Sequence, residues 1–245
     1  MASDKIYVSG NQNLFKKYQD FLTGMGNSLA VTLKNEHGTN KDRFSFTANI
    51  SNRYKSPAIV LYSDSSMRSA CALNRAVNRV STIFTSEKEQ LASLYGTKAI
   101  FQLNTTQTGD IQEQIYVPKQ MDARISIDNN VAGVSKQTGL SVNWTTDSNP
   151  LNDKGILIEL FYDAYTNKSV STNPAALPNN NVTQYIVVAD NGNYTLTSSD
   201  LVNLPSNTNI TIKIHRRNFR TVNVGKENIN LLAYSQVYNA FTLID

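Results

Sequence analysis

The sequence predicts a mainly β protein in two parts: an α+β domain over residues 1–121, then an antiparallel β-sandwich over 122–245. Three observations carry this. The second half is a succession of short alternating or apolar runs, among them Leu140–Trp144, Ile156–Tyr162 and the Ile210, Ile212, Ile214 series. Such runs at this spacing, separated by turn residues, are the signature of strands. Asparagine is abundant, at 30 residues, and favours turns through local backbone hydrogen bonds. Helical periodicity is confined to the first half.

In chain order, Ile6–Ser9 predicts a short strand. Leu14, Phe15, Tyr18, Phe21 and Leu22 recur at helical spacing over Asn13–Leu22, with Gly24 and Gly26 as stops. Leu29–Leu33, Phe44–Ile50 and Ala58–Tyr62 read as strands, with a turn over Glu36–Lys41. Ser65–Phe84 predicts a helix with Ala70, Leu73, Val77, Val80 and Phe84 on one side, and Arg68, Arg75 and Arg79 opposite. Ser86 and Glu89 form a capping-box pattern for a second helix closed by Gly96, giving a helical pair near 65–96. Lys98–Leu103 and Ile111–Val117 pair as a hairpin around Thr108–Asp110, and Val117–Asp122 reads as the linker between domains.

Beyond it the strands are Arg124–Ile127, Gly139–Thr145, Gly155–Tyr162, Gln184–Val188, Asn193–Thr197, Asn209–His215 and Asn230–Leu243, with a tight turn at Asn191-Gly192. This half is built around Trp144, the single tryptophan of the chain, and resembles a fibronectin type III or related immunoglobulin-like domain. Trp144 ends an alternating strand where that family keeps its core tryptophan, and Ile156–Tyr162 supplies the next strand. Leu204-Pro205-x-x-Thr208-x-Ile210 matches the family's corner before the sixth strand, with Ile210 where tyrosine is usual, which removes the corner hydroxyl bond. Thr145-Thr146 stands where the family commonly has proline. The resemblance implies a scaffold, and function must be sought in sites on it.

Net charge is +4, divided as +5 over residues 1–121 and −1 over 122–245, a pointer to an acidic partner surface and short of a nucleic-acid footprint. One cysteine, Cys71, excludes an intrachain disulfide; in its helical pattern it reads as a small buried hydrophobe. Met1–Ile6 carries no apolar signal core, and the longest apolar runs are too short to span a bilayer.

Chemistry is thinly represented. Two histidines, His37 in a turn and His215 pointing outward from a strand, leave little for a zinc site or a Ser-His-Asp triad. No phosphate-binding glycine loop is present. Asp147, Asn149, Asn152 and Asp153 gather oxygen ligands in one loop, a weak calcium pattern set against a plain polar turn. Carboxylates are present, but none sits in an apolar or cationic setting that marks a glycosidase pair.

Two basic features remain. One is the Arg68, Arg75, Arg79 helix face. The other is a loop after the sixth strand, Arg216, Arg217, Phe219 and Arg220 followed by Lys226, where arginines around an aromatic suit a protein interface. The expectation is a non-enzymatic assembly protein without a cofactor, docking on other subunits or on copies of itself. Its composition resembles virion proteins of Bacteroidetes phages (capsid accessory, head–tail or tail proteins). It equally resembles Bacteroidetes surface lipoproteins, so the alternative is a cell-surface or secreted module for glycan or protein ligands.

Overall fold

The apolar run Ile156–Tyr162 lies in the middle of the molecule, and both of its faces are covered. A computed structural model describes residues 4–25, 29–37, 42–49, 58–63, 69–73, 88–105, 109–125, 133–224 and 227–245. In chain order the elements are β1 (Lys5–Gly10), α1 (Gln12–Met25), β2 (Leu29–His37), β3 (Asp42–Asn49), β4 (Ala58–Ser63), β5 (Ser69–Leu73) and α2 (Lys88–Ala92). Next come β6 (Lys98–Thr105), β7 (Gly109–Tyr116), β8 (Ala123–Ile125), β9 (Val134–Ser135), β10 (Leu140–Trp144) and β11 (Ile156–Tyr162). The chain closes with α3 (Ala164–Val170), β12 (Val182–Val188), β13 (Asn193–Leu196), α4 (Ser198–Leu201), β14 (Thr208–Val224) and β15 (Glu227–Ile244). The fold is mainly β, as predicted.

The largest sheet runs β1-β12-β11-β14-β15-β2-β3, with β9 also on β15. A second, three-stranded sheet runs β13-β10-β8. One hydrophobic core joins them: Val142 and Trp144 from β10 and Leu196 from β13 pack with Ile156, Ile158 and Leu160 of β11 and Ile210, Ile212 and Ile214 of β14. The opposite face of β11 carries Leu157, which clusters with Val187 and with Tyr18 of α1. A strand covered on both sides reads as a continuous apolar run, and that is why Ile156–Tyr162 does not alternate. Gly10 ends β1 at φ +87°, where a Cβ would fall 2.4 Å from the Val187 carbonyl oxygen, so the chain can turn there into α1 only with glycine.

The boundary expected at 121/122 does not divide the strands. β1 lies parallel to β12, and β2 lies parallel to β15, so three strands of the first half complete the sheet of the second. Nor is Val117–Asp122 a loose linker. Val117 exchanges backbone bonds with Gly96 and Thr97, both at 2.8 Å, and the Met121 N–H donates to Ser235 Oγ at 2.8 Å. Val117 and Met121 are buried. Strands β4–β7 form their own sheet in the order β5-β4-β6-β7. It meets the long β14–β15 hairpin where Asn218 Nδ2 donates to the Tyr116 carbonyl at 2.9 Å.

The helix expected over Ser65–Phe84 is replaced over Ser69–Leu73 by β5, antiparallel to β4, and Cys71 lies in that strand. Cross-strand pairing overrides the local helical spacing there. Arg68, Arg75 and Arg79 lie outside the described residues. Of the second helix, α2 and the positive-φ Gly96 stand as expected, whereas Ser86 is outside the described residues. Helices α3 and α4 went unpredicted because each is a short polar segment capped by one aspartate: Asp163 accepts from Thr166 N–H, and Asp200 closes a capping box with Thr197.

Tyr18 is the side chain that attaches α1 to the sheet, and it is fully buried against Leu157 and Val187. Tyr18→Ala is expected to lower the unfolding free energy by about 3 kcal/mol, read by urea denaturation, with the change confined to the midpoint.

Candidate interaction site

The arginine-rich stretch is not a loop. Residues 216–220 lie inside β14, paired with Ser235–Leu231 of β15. Strand alternation therefore divides them between two faces. Arg216 continues the inward series Ile210, Ile212, Ile214 and is 0% exposed. It cannot reach a partner, which overturns its expected docking role.

Arg216 instead closes a polar knot on Asp190. Its Nε donates to Asp190 Oδ2 at 2.8 Å and its Nη2 to Oδ1 at 3.1 Å. The remaining donors satisfy the carbonyls of Lys119, at 3.2 Å, and Thr145. Trp144 Nε1 donates to Asp190 Oδ1 at 2.7 Å, and Asn152 Nδ2 to Oδ2 at 2.8 Å. Nearly every polar atom of this buried pair is matched, which is the condition for such a pair to be tolerated in a core.

The loop read as a calcium candidate is used up by the same knot. Asp147 is buried and accepts from Tyr116 Oη at 2.8 and 3.0 Å, from Lys119 N–H at 2.9 Å and from Asn149 N–H at 3.2 Å. Asp153 faces two ammonium groups, Lys17 at 3.1 Å and Lys154 at 2.8 Å, which hold its carboxyl below the usual range against the opposing effect of burial. A cation would have to displace both. Among the described residues no His, Cys, Asp or Glu cluster suits a metal.

The other face of β14 carries His215, Arg217 and Phe219. His215 is buried, not outward in solvent as the alternation alone implied, because this face too is roofed. Burial pushes its pKa down to about 3, helped by the cations of Arg217 and Lys213, with Glu159 opposing. Its Nε2 lies 3.4 Å from Glu159 Oε2, and neither ring nitrogen has a hydrogen-bond partner among the described residues. Burial alone would raise Glu159, but its contacts to His215 and Lys213 bring it down to about 2. With His215 uncharged near neutrality, Lys213, at 2.7 Å, is the cation that holds the carboxylate ionised. Arg217, only partly exposed, places its guanidinium 5.4 Å from the Tyr234 ring centroid. His37 ends β2.

The surface that remains is a groove of about 390 Å³ between β7, the loop before β11 and β14. Ile115, Tyr116, Pro150, Leu151 and Phe219 supply apolar side chains to its lining, and Lys98, Asp153 and Arg220 charged ones. Phe219 packs on Tyr18 with centroids 5.7 Å apart, and Lys154 Nζ lies 5.5 Å from its ring centre. Arg220 is mostly exposed and reaches Glu113 at 3.0 Å. Leu151 is 46% exposed. The structure thus brings Phe219 and Arg220 together at one groove and removes Arg216 and Arg217 from it; Lys226 lies outside the described residues. Leu151 was missed because a single leucine in a polar loop carries no periodic signal.

No protein-family model matches the chain, and no curated protein matches it in sequence. No helix among the described residues is long and apolar enough to cross a membrane.

Two predictions follow from these environments. Arg216→Ala leaves Asp190 charged and unpaired in the core and is expected to cost about 3–5 kcal/mol, whereas Arg220→Ala stays within about 0.5 kcal/mol; chemical denaturation of the two variants distinguishes them. His215 binds its proton near pH 6.5 when unfolded but only near 3 when folded, so acid favours the unfolded chain. Stability is expected to be level above pH 6.5 and to fall below it by up to about 1.4 kcal/mol per pH unit. Glu159, with its depressed value, adds to the loss below about 4.5. His215→Phe is expected to flatten the limb between pH 6.5 and 4.5 and to make the fall between 4.5 and 3 shallower, leaving the part that comes from Glu159.

Proposed function

We propose that this chain is a non-enzymatic assembly protein that docks on neighbouring protein subunits through the groove beside Arg220, in a larger particle of the virion class its composition resembles. The carrying observation is the groove itself: apolar side chains, exposed Leu151 among them, share its lining with polar groups and with the cations Lys98 and Arg220. Non-obligate protein interfaces mix apolar and polar groups in this way, and Arg and Lys suit carboxylates of a neighbour. Repetition over symmetric copies would let each contact be weak.

The scaffold proposed for this surface is the fibronectin III-like sandwich. It is supported by the β13-β10-β8 order of one sheet, the β12-β11-β14-β15 order within the other, and the shared core around Trp144. The corner also fits. Leu204 is buried, and the Thr208 hydroxyl donates to the Pro205 carbonyl at 2.6 Å, a hydroxyl bond supplied from two residues before Ile210.

Leu151→Asp combined with Arg220→Glu is expected to weaken co-sedimentation with native particles by at least about tenfold while leaving thermal melting unchanged. Cross-linking on intact particles is expected to join Lys98 to a neighbouring protein. Full incorporation of the double variant, with no cross-link from Lys98, would contradict the groove as the docking surface.

A further inference from the structure

We propose that β1 is the seam of a two-fold dimer, its open edge pairing antiparallel with β1 of a second copy. Among the described residues β1 is the terminal strand of the largest sheet, and its sequence, Lys-Ile-Tyr-Val-Ser-Gly, contains neither proline nor a register break against β12. Proline, bulges and charges blunt natural edge strands; here the one charge, Lys5, stands at the strand's first residue and leaves Ile6–Gly10 open to another strand. The Lys5 N–H donates to Asn181 O at 3.0 Å and the Asn11 N–H to Val187 O at 2.6 Å. Odd-numbered residues therefore turn their backbone groups toward β12, and Ile6 and Val8 turn theirs outward.

The apolar side chains follow the same edge. Ile6 is 64% and Val8 37% exposed. Val202, 64% exposed, follows α4, whose Asp200 accepts from Ser9 Oγ at 2.9 Å. Tyr165 and Val170, both exposed, lie on α3, whose Ala164 N–H is held by Asn181, the residue that also receives Lys5. Most of the exposed large apolar side chains among the described residues thus sit on β1 or on helices tied to it.

The pattern of β1 fits its own copy. Antiparallel pairing centred on Tyr7 sets Ile6 of one chain against Val8 of the other, twice. These are the residues with outward N–H and C=O groups, so each such pair exchanges two backbone bonds. Lys5 then faces Ser9 and not another Lys5, and no like charges oppose. A two-fold axis requires this self-complementarity. The surface is separate from the groove, and either proposal can fail alone.

Sedimentation velocity of the full chain at about 100 μM, where a micromolar pair is almost fully associated, is expected to show a dimer. Ile6→Lys with Val8→Lys is expected to shift it to monomer at the same concentration, with an unchanged circular-dichroism melt. Hydrogen exchange of the unmutated chain gives a second readout: Ile6 and Val8 amides slow as concentration rises. A wild-type chain that stays monomeric, a dimer that survives the double lysine variant, or exchange at Ile6 and Val8 that ignores concentration overturns the proposal. Protection of these amides only in the presence of a different protein also overturns it, and assigns the edge to a foreign strand.

Discussion

The Arg216–Asp190 pair is the interaction on which the rest of the architecture depends. Asp190 sits in the turn between β12 and β13, and Arg216 projects from β14 into the same interior. Around them, Trp144 brings in β10, Asn152 the loop before β11, and the Lys119 carbonyl the segment from the first half. One carboxylate and one guanidinium therefore fix elements of both sheets and of the connecting chain. Apolar packing could hold these pieces together, but it is tolerant of register. A charge pair with directional donors is not, because a shift by one residue leaves a buried charge unmatched.

The second organising constraint is that the largest sheet is buried on two sides. Its Trp144 side packs on the three-stranded sheet, and its other side receives α1 through Tyr18. The β14–β15 hairpin is long enough to serve both ends: one end lies in the core, and the other carries β2 and β3 and meets β7. Polar side chains on the helix side, Glu159, Lys213, His215 and Arg217, are tolerated because they neutralise or stack on one another, with His215 kept uncharged by burial. Their shifted ionisation arises from packing and contributes to acid sensitivity more than to any surface chemistry.

Much of the second half was legible in sequence. The runs Leu140–Trp144, Ile156–Tyr162 and Asn193–Thr197, and the Asn191-Gly192 turn, each mark the element found, because local alternation and turn chemistry agree with the tertiary pairing. The fate of Arg216 was also encoded. It stands two residues beyond Ile214 in an inward series, and taking the arginines as a loop ended that series one step early. What local pattern could not reveal is long-range: β1 and β2 join strands more than a hundred residues away, and β5 takes strand form from β4. Of the expected docking residues, Arg220 and Phe219 meet at the groove, while its Leu151 has no sequence signature.

β14 separates these residues along its length: Arg216 lies buried in the core, whereas Phe219 and Arg220, further toward the hairpin turn, both line the groove. The most direct measurement of this account is a double-mutant cycle on Arg216 and Asp190, using Arg216→Met, Asp190→Asn and the pair, followed by urea denaturation. A structural joint predicts a coupling energy of about 2 kcal/mol or more, with the double variant less damaged than the two losses added. Additive losses with no coupling would show that the two side chains do not act on each other, and the arrangement described for this core would be wrong.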